Sequence, residues 1–169
     1  MPLVHVHPMS LAFEIFEELA HALTHEPKIA ASRNTPEHLH DLYDRQLAVV
    51  LMEGGAPIGF IAAWPVEEGY YEIGSVWVHL GYRGRGYSHT IYEAMVELLA
   101  LNGHLAFQIT TNPLAVRSGQ KVGLMVHEDW STPVPRHLTC GPCEFVAAAQ
   151  RDTCPHRNTT CWLQVLRHA

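Results

Sequence analysis

Residues 75–103, SVWVHLGYRGRGYSHTIYEAMVELLALNG, change character twice, and the rest of the chain is read outward from them. They begin inside a run, Tyr70 to His79, in which Glu72, Gly74, Val76 and Val78 share one face and Tyr71, Ile73, Ser75 and Trp77 the other. That is the period of a β-strand with both faces at least partly buried. The sequence GYRGRGYS, residues 81–88, then interrupts it with three glycines. Beyond it Ile91, Ala94, Met95, Leu98 and Leu99 recur at helical spacing, and Asn102-Gly103 gives a stop signal. The order is strand, glycine turn, helix. Such a turn aims several backbone N–H groups at one point, where the helix dipole adds partial positive charge, and the point binds phosphate. Gly84 and Gly86 let an anion approach without Cβ clashes, while Arg83 and Arg85 can add charge-assisted hydrogen bonds to a diphosphate. The plainer alternative is a tight structural turn carrying two solvated arginines.

The flanking segments extend the pattern. Leu105 to Thr110 is predicted as a strand, Asn112-Pro113 opens a short helix to about Val122, and Gly123 ends it before Leu124-Met125-Val126. The resulting β, α, β, α, β order implies adjacent parallel strands. Upstream, Leu47 to Glu53 and Pro57 to Trp64 flank Gly54-Gly55-Ala56, the chemistry of an antiparallel hairpin. Ser10 is a candidate N-cap for a helix over 11–25, and Thr35 with Pro36 starts a second helix to about Arg45. From Trp130 onward Pro133, Pro135, Pro142 and Pro155 predict a loop-rich tail, with Cys161 to Leu166 as a last strand.

No G-x-x-x-x-G-K-[ST] string occurs, so a P-loop is excluded, and the dinucleotide fingerprint fails where Gly84 and Gly86 lead to His89 instead of a third glycine. The turn, RGRGYS at 83–88, and the later stretch NPLAVRSGQKVGL at 112–124 together resemble the GNAT superfamily of acyl-CoA N-acyltransferases. The pyrophosphate motif [RQ]-x-x-G-x-[GA] becomes Arg83-x-x-Gly86-x-Ser88, and Asn112, Ala115, Lys121, Gly123 and Leu124 occupy the second element. The resemblance covers about residues 47–128. It implies an α/β fold, a mixed and mostly antiparallel twisted sheet with helices on both faces. It also implies an acetyl-CoA-dependent N-acetyltransferase acting on a primary amine by direct attack in a ternary complex. Cofactor contacts then fall on Val76, Trp77 and Val78, whose backbone meets the pantetheine arm and thioester, on Arg83, Gly84, Arg85, Gly86, Tyr87 and Ser88, and on Asn112. Glu72 falls where some members carry a glutamate base, against the alternative of a solvated strand-edge carboxylate. His79, on the other face, is read as a surface residue. The tyrosine that often protonates the departing thiolate is replaced by Gly119, and no tyrosine follows Asn112. Ser118, water or the substrate ammonium are left as the acid.

The 169 residues suit one domain: 1–46 as N-terminal helices, 47–128 as the acyl-CoA-binding core and 129–169 as a cysteine-rich segment completing the sheet. A net charge of −6 argues against a general nucleic-acid binder and, with Glu14, Glu17, Glu18, Glu67 and Glu68, leans slightly toward a cationic acceptor, a small molecule or a peptide. No run nears the roughly 18 apolar residues of a membrane span, and the start MPLVHVHPMS has no signal pattern, so a cytoplasmic location is expected. A homodimer is left open. The His5/His7 and His38/His40 pairs are read as surface. Cys140, Cys143, Cys154 and Cys161 present two pairs of sulfurs suited to one structural zinc, weighed against free buried thiols and disulfide or redox use, and His156 could substitute as a ligand. Two rival functions stand beside the transferase: a non-catalytic acyl-CoA-binding or sensing module, suggested by Gly119, and a zinc-bearing interaction module on the same scaffold.

Overall fold

The computed structural model describes residues 2–5, 10–27, 29, 33–101, 103, 105–143 and 145–166. Asn102 and His7, named above, lie outside the described residues, as does the side chain of His5. The strands are β1 Leu3–His5, β2 Ala48–Glu53, β3 Ala56–Glu67, β4 Tyr70–Val78, β5 Leu105–Thr110, β6 Leu124–His127 and β7 Trp162–Leu166. The helices are α1 Phe13–Thr24, α2 Pro36–Asp44, α3 Tyr87–Ala100, α4 Pro113–Lys121 and α5 Arg136–Thr139. All seven strands form one sheet in the order β1-β2-β3-β4-β5-β7-β6. The β4–β5 pair is parallel, while β1–β2, β2–β3, β5–β7 and β6–β7 are antiparallel, so the fold is mixed α/β with a mostly antiparallel sheet. Among the described residues no helix is long and apolar enough to cross a membrane.

The chain divides into two compact units. The first comprises Met1–Trp64 and Ile73–Gly103. Here β2 and β3 meet through Gly54 and Gly55, whose φ values of 61° and 86° are those of a type I′ hairpin turn. β3 is buried without a break from Pro57 to Trp64, which is why its sequence shows no alternation. The Thr35 cap forms as expected, its side chain accepting from the His38 N–H at 3.3 Å. The Ser10 cap does not: α1 starts from Ala12 with no side-chain cap, and Glu14 in its first turn complements the helix dipole instead. In α3 the buried stripe is Ile91, Tyr92, Met95 and Leu99. It is rotated from the expected one because Tyr92 takes the core position while Ala94 and Leu98 stay half-buried. β1, three residues long and paired with Leu51 and its neighbours, carried too little pattern to be predicted.

The second unit comprises Pro65–Glu72 and His104–Ala169. Tyr70, Tyr71 and Glu72 pair in parallel with Leu105, Ala106 and Phe107. The expectation that successive strands lie side by side fails beyond β5. β7 inserts between β5 and β6, pairing Phe107↔Val165 on one edge and Leu124↔Leu166 on the other. The tail thereby supplies the central strand of this half, its Leu163 and Val165 buried with Phe107, Trp130, Val134 and Leu138. Insertion satisfies both edges of a strand whose residues from Leu163 to Leu166 are all buried.

Candidate functional site

In the first unit β4 delivers the chain to the glycine turn. Burial along β4 alternates strictly from Glu72 to Val78, with Ile73, Ser75 and Trp77 on the covered face and Glu72, Gly74, Val76 and Val78 half-buried on the other. Ser75 adopts φ 53°, a left-handed backbone that costs a non-glycine residue roughly 1–3 kcal/mol. The buried hydroxyl of Ser75 donates to Asn34 Oδ1 at 2.7 Å, which helps hold this conformation. Neither residue was picked out from the sequence, since a serine in an apolar strand carries no sign of its φ. On the opposite face a Cβ at Gly74 would lie 2.9 Å from the Arg33 guanidinium, the movable end of a side chain that sits 4.6 Å from the Trp64 ring centroid.

The strand ends in a short 3₁₀ turn, Leu80–Tyr82. The Gly81 N–H donates to His79 Nδ1 at 3.2 Å, and the imidazole meets Trp77 and Tyr82 edge-on. His79 thus caps the turn, a structural task consistent with its reading as a surface residue. Gly84 and Gly86 follow with φ of 79° and 85°, and a Cβ on either would project into open space. Gly86 is the N-cap of α3, and no side chain caps that end. The Gly86 carbonyl accepts from the His89 and Thr90 N–H groups at 2.9 and 3.3 Å, and the first turn of the helix follows directly on the two open glycine positions.

The two arginines of the turn have different placements. Arg83 donates from Nε to the Val78 carbonyl at 2.8 Å and pairs through a terminal nitrogen with Glu26. It braces the turn against the end of β4. Arg85 is exposed, its guanidinium 5.3 Å from the Tyr82 ring centroid. The Tyr82 hydroxyl is itself held above its usual range, first by a hydrogen bond to Glu53. Tyr87 and Ser88, the first two residues of α3, are half-buried.

In the second unit Glu72 is half-buried where the ladder to β5 ends. The Asn112 carboxamide, expected at the cofactor, accepts from the Leu114 N–H at 3.0 Å and caps α4. Ser118 is half-buried on α4 and Gly119, next to it, is fully covered. A Cβ at Gly119 would meet the Gln164 amide at 3.1 and 3.2 Å and Leu124 Cδ1 at 3.1 Å. Gln164 is entirely buried, donating to the Val116 and Leu124 carbonyls at 3.0 and 2.9 Å and accepting from Gln108 Nε2 at 2.9 Å. The space a larger side chain would need is thus filled by a hydrogen-bonded glutamine pair, missed in the sequence because two glutamines on separate strands look like solvated positions. Gly119→Tyr is accordingly expected to destabilise the protein by roughly 2–5 kcal/mol, through overpacking and broken amide bonds, with no gain in turnover. Urea unfolding and a steady-state assay check both halves of that expectation.

All four cysteines are free thiols, Cys140 buried and Cys143, Cys154 and Cys161 half-buried. Burial first, then the neighbouring charges of Cys143, Cys140 and Cys154, push the Cys161 thiol up to about 11. Among the described residues no group of three or more His, Cys, Asp or Glu is set to hold a metal ion, where a zinc site was expected. His38 and His40 find local partners, the Arg33 carbonyl at 3.2 Å and Asp44 at 3.6 Å.

A family model described as the acetyltransferase (GNAT) family matches residues 13–123. No curated protein matches the chain in sequence. Among solved structures, Rv2747 from Mycobacterium tuberculosis in complex with CoA and NLQ is similar with a TM-score of 0.67 at 14% identity, 99% of each chain being covered. The PaiA N-acetyltransferase from Thermoplasma acidophilum in complex with coenzyme A gives 0.62 at 12% identity, again over 99% of both. The N-acetylglutamate synthase from Neisseria gonorrhoeae, complexed with coenzyme A and N-acetyl-glutamate, gives 0.61 at 16% identity over 99% of this chain and 36% of its own.

Proposed function

This chain belongs to the acetyltransferase (GNAT) family, and from that premise we propose that it transfers an acetyl group from acetyl-CoA to a primary amine by direct attack within a ternary complex. One observation carries the donor assignment: two left-handed glycines with open space at their Cβ positions, placed at the uncapped N-terminus of α3. That arrangement fits a diphosphate, because a helix N-terminus favours an anion and the glycine positions leave room for its close approach to the main chain. The solved relatives named above that carry coenzyme A share this fold, which supports the choice of a CoA thioester over other phosphate ligands.

The residues have the following roles. The main chain of Gly84 to Ser88 binds the diphosphate, with Arg85 free to swing onto it from Tyr82, while Arg83 keeps the turn seated on Val78. The backbone of Val76, Trp77 and Val78 holds the pantetheine arm and polarises the thioester oxygen. Glu72 accepts the proton of the attacking amine, directly or through one water. Nitrogen bonds to the acyl carbon as the carbon–sulfur bond breaks, and the electron pair leaves with the thiolate. With glycine at 119, the Ser118 hydroxyl or water protonates that thiolate, and solvent restores the proton. The acceptor is a small-molecule or peptide amine.

Mixing the protein with acetyl-CoA and a panel of primary amines is expected to release free CoA thiol only when an acceptor is present. The product is expected to be heavier by one acetyl group in mass spectrometry. Tight CoA binding with no release across a broad panel would replace this reading with that of an acyl-CoA sensor.

A further inference from the structure

The cysteine-bearing tail takes no part in the chemistry above, yet its local structure is tightly specified. Cys140 and Cys143 bracket a Gly141-Pro142 turn, and the Cys143 N–H donates to the Cys140 carbonyl at 3.2 Å. Only glycine fits at 141, because a Cβ there would lie 2.3 Å from the His137 carbonyl oxygen. Cys154 and Cys161 close a second loop, in which the Thr159, Thr160 and Cys161 N–H groups all donate to the His156 carbonyl. Asn158, at φ 59°, donates from its N–H to the Cys161 carbonyl, and its side chain accepts from the buried Trp130 indole at 3.0 Å.

The two loops lie side by side. Arg157, in the middle of the second loop, donates from Nε to Cys140 Sγ at 3.2 Å in the first. Arg151 donates to the Gly141 carbonyl, and Arg157 in turn to the Arg151 carbonyl. Cys161 packs against the hydrophobic cluster that contains Cys140. Cys161 also lies within electrostatic reach of Cys143, Cys140 and Cys154, so the four thiols neighbour one another, and Arg157 already makes to one of them the kind of hydrogen bond that supports metal-bound sulfur. The intervening segment has one 3₁₀ helix, Ala148–Thr153, with no buried residue, and Phe145 is 80% exposed, so polar contacts such as Arg136 to Asp152 hold it rather than a core.

We propose that Cys140, Cys143, Cys154 and Cys161 together bind one structural zinc ion, which draws two adjacent loops into a tetrahedral tetrathiolate. Zinc binding and the ordering of the two loops are then one event. The thiol protons pass to solvent as the four bonds to zinc form, and affinity consequently falls as pH is lowered. A closed set of four protein ligands leaves no open position for water, so the ion orders the tail without entering acyl transfer.

The test uses the full chain, purified reduced, then stripped with a chelator and titrated with Zn²⁺ or Co²⁺ alone. One metal per chain is expected, with thiolate-to-cobalt charge-transfer bands and intense tetrahedral d–d bands. Four thiols are expected to react with a thiol reagent after stripping and to be protected when zinc is bound. Cys143→Ser and Cys154→Ser are each expected to weaken cobalt binding by about a hundredfold or more, while His156→Ala retains it. If either cysteine variant fails to fold, the metal stoichiometry and thiol protection of the unaltered chain still decide. Four reactive thiols with no bound metal would overturn the proposal, as would fewer than four after stripping because of disulfides. Loss of binding in His156→Ala would overturn this ligand set.

Discussion

Replacing Gly86 by glutamate is expected to abolish coenzyme A binding while leaving the protein folded. Gly86 sits at φ 85° with no heavy atom within 4 Å of its Cβ position, so the new side chain enters the space proposed for the diphosphate rather than the core. Two costs add there. The left-handed backbone at a non-glycine residue disfavours the turn by roughly 1–2 kcal/mol, and a carboxylate repels the diphosphate at close range. Charge-assisted hydrogen bonds from the helix N-terminus are worth about 1.5–3 kcal/mol each, so losing two weakens binding by more than about a hundredfold. Isothermal titration calorimetry with CoA measures this directly, and circular dichroism confirms that α3 persists. Gly86→Ala separates the contributions, since it carries the backbone cost without the charge and is expected to bind measurably. Unchanged affinity in Gly86→Glu would remove the turn from the binding site.

What could be read from the chain follows how local each signal is. The strand, glycine turn and helix over 70–100 were legible because alternation, positive-φ residues and helical spacing are each contained within a few neighbours. The Gly54-Gly55 hairpin and the Thr35-Pro36 helix start were legible for the same reason. β7 was found as a strand but not as a neighbour of β5, because pairing partners about a third of the chain apart leave no mark on either sequence. The same limit hid the Glu26 partner of Arg83. A motif arginine looks like a phosphate ligand until its guanidinium is seen bonded to Val78 and Glu26. Gly119 stood out as a missing tyrosine, but its cause, the buried Gln164 amide at 3.1 Å from a Cβ there, depends on β7 lying beneath α4. Charge was the least informative quantity. A net −6 describes the whole surface, whereas the charge beside Gly74 on β4 is the Arg33 guanidinium.

Glu72→Gln is the sharpest test of the proposed chemistry, because it keeps shape and hydrogen-bonding capacity while removing the ability to take a proton. Glu72 is half-buried on the strand face that also carries Val76 and Val78, and its backbone lies in the ladder opposite Phe107, so the substitution leaves strand pairing intact. General-base catalysis contributes roughly 10²–10⁴-fold, and kcat is expected to fall within that range while the KM for acetyl-CoA is unchanged. The loss is expected to depend on the acceptor. A strongly basic alkylamine is almost wholly protonated at neutral pH and needs its proton removed before its nitrogen can attack. Weakly basic nucleophiles such as hydroxylamine are already neutral, and their adducts lose a proton readily to water. The penalty in the variant is therefore expected to shrink by at least about tenfold with hydroxylamine, as the demand on the base is relieved. An equal loss with both acceptors would mean that Glu72 orients the substrate instead of accepting its proton, and no loss with either would return it to a solvated carboxylate at a strand edge.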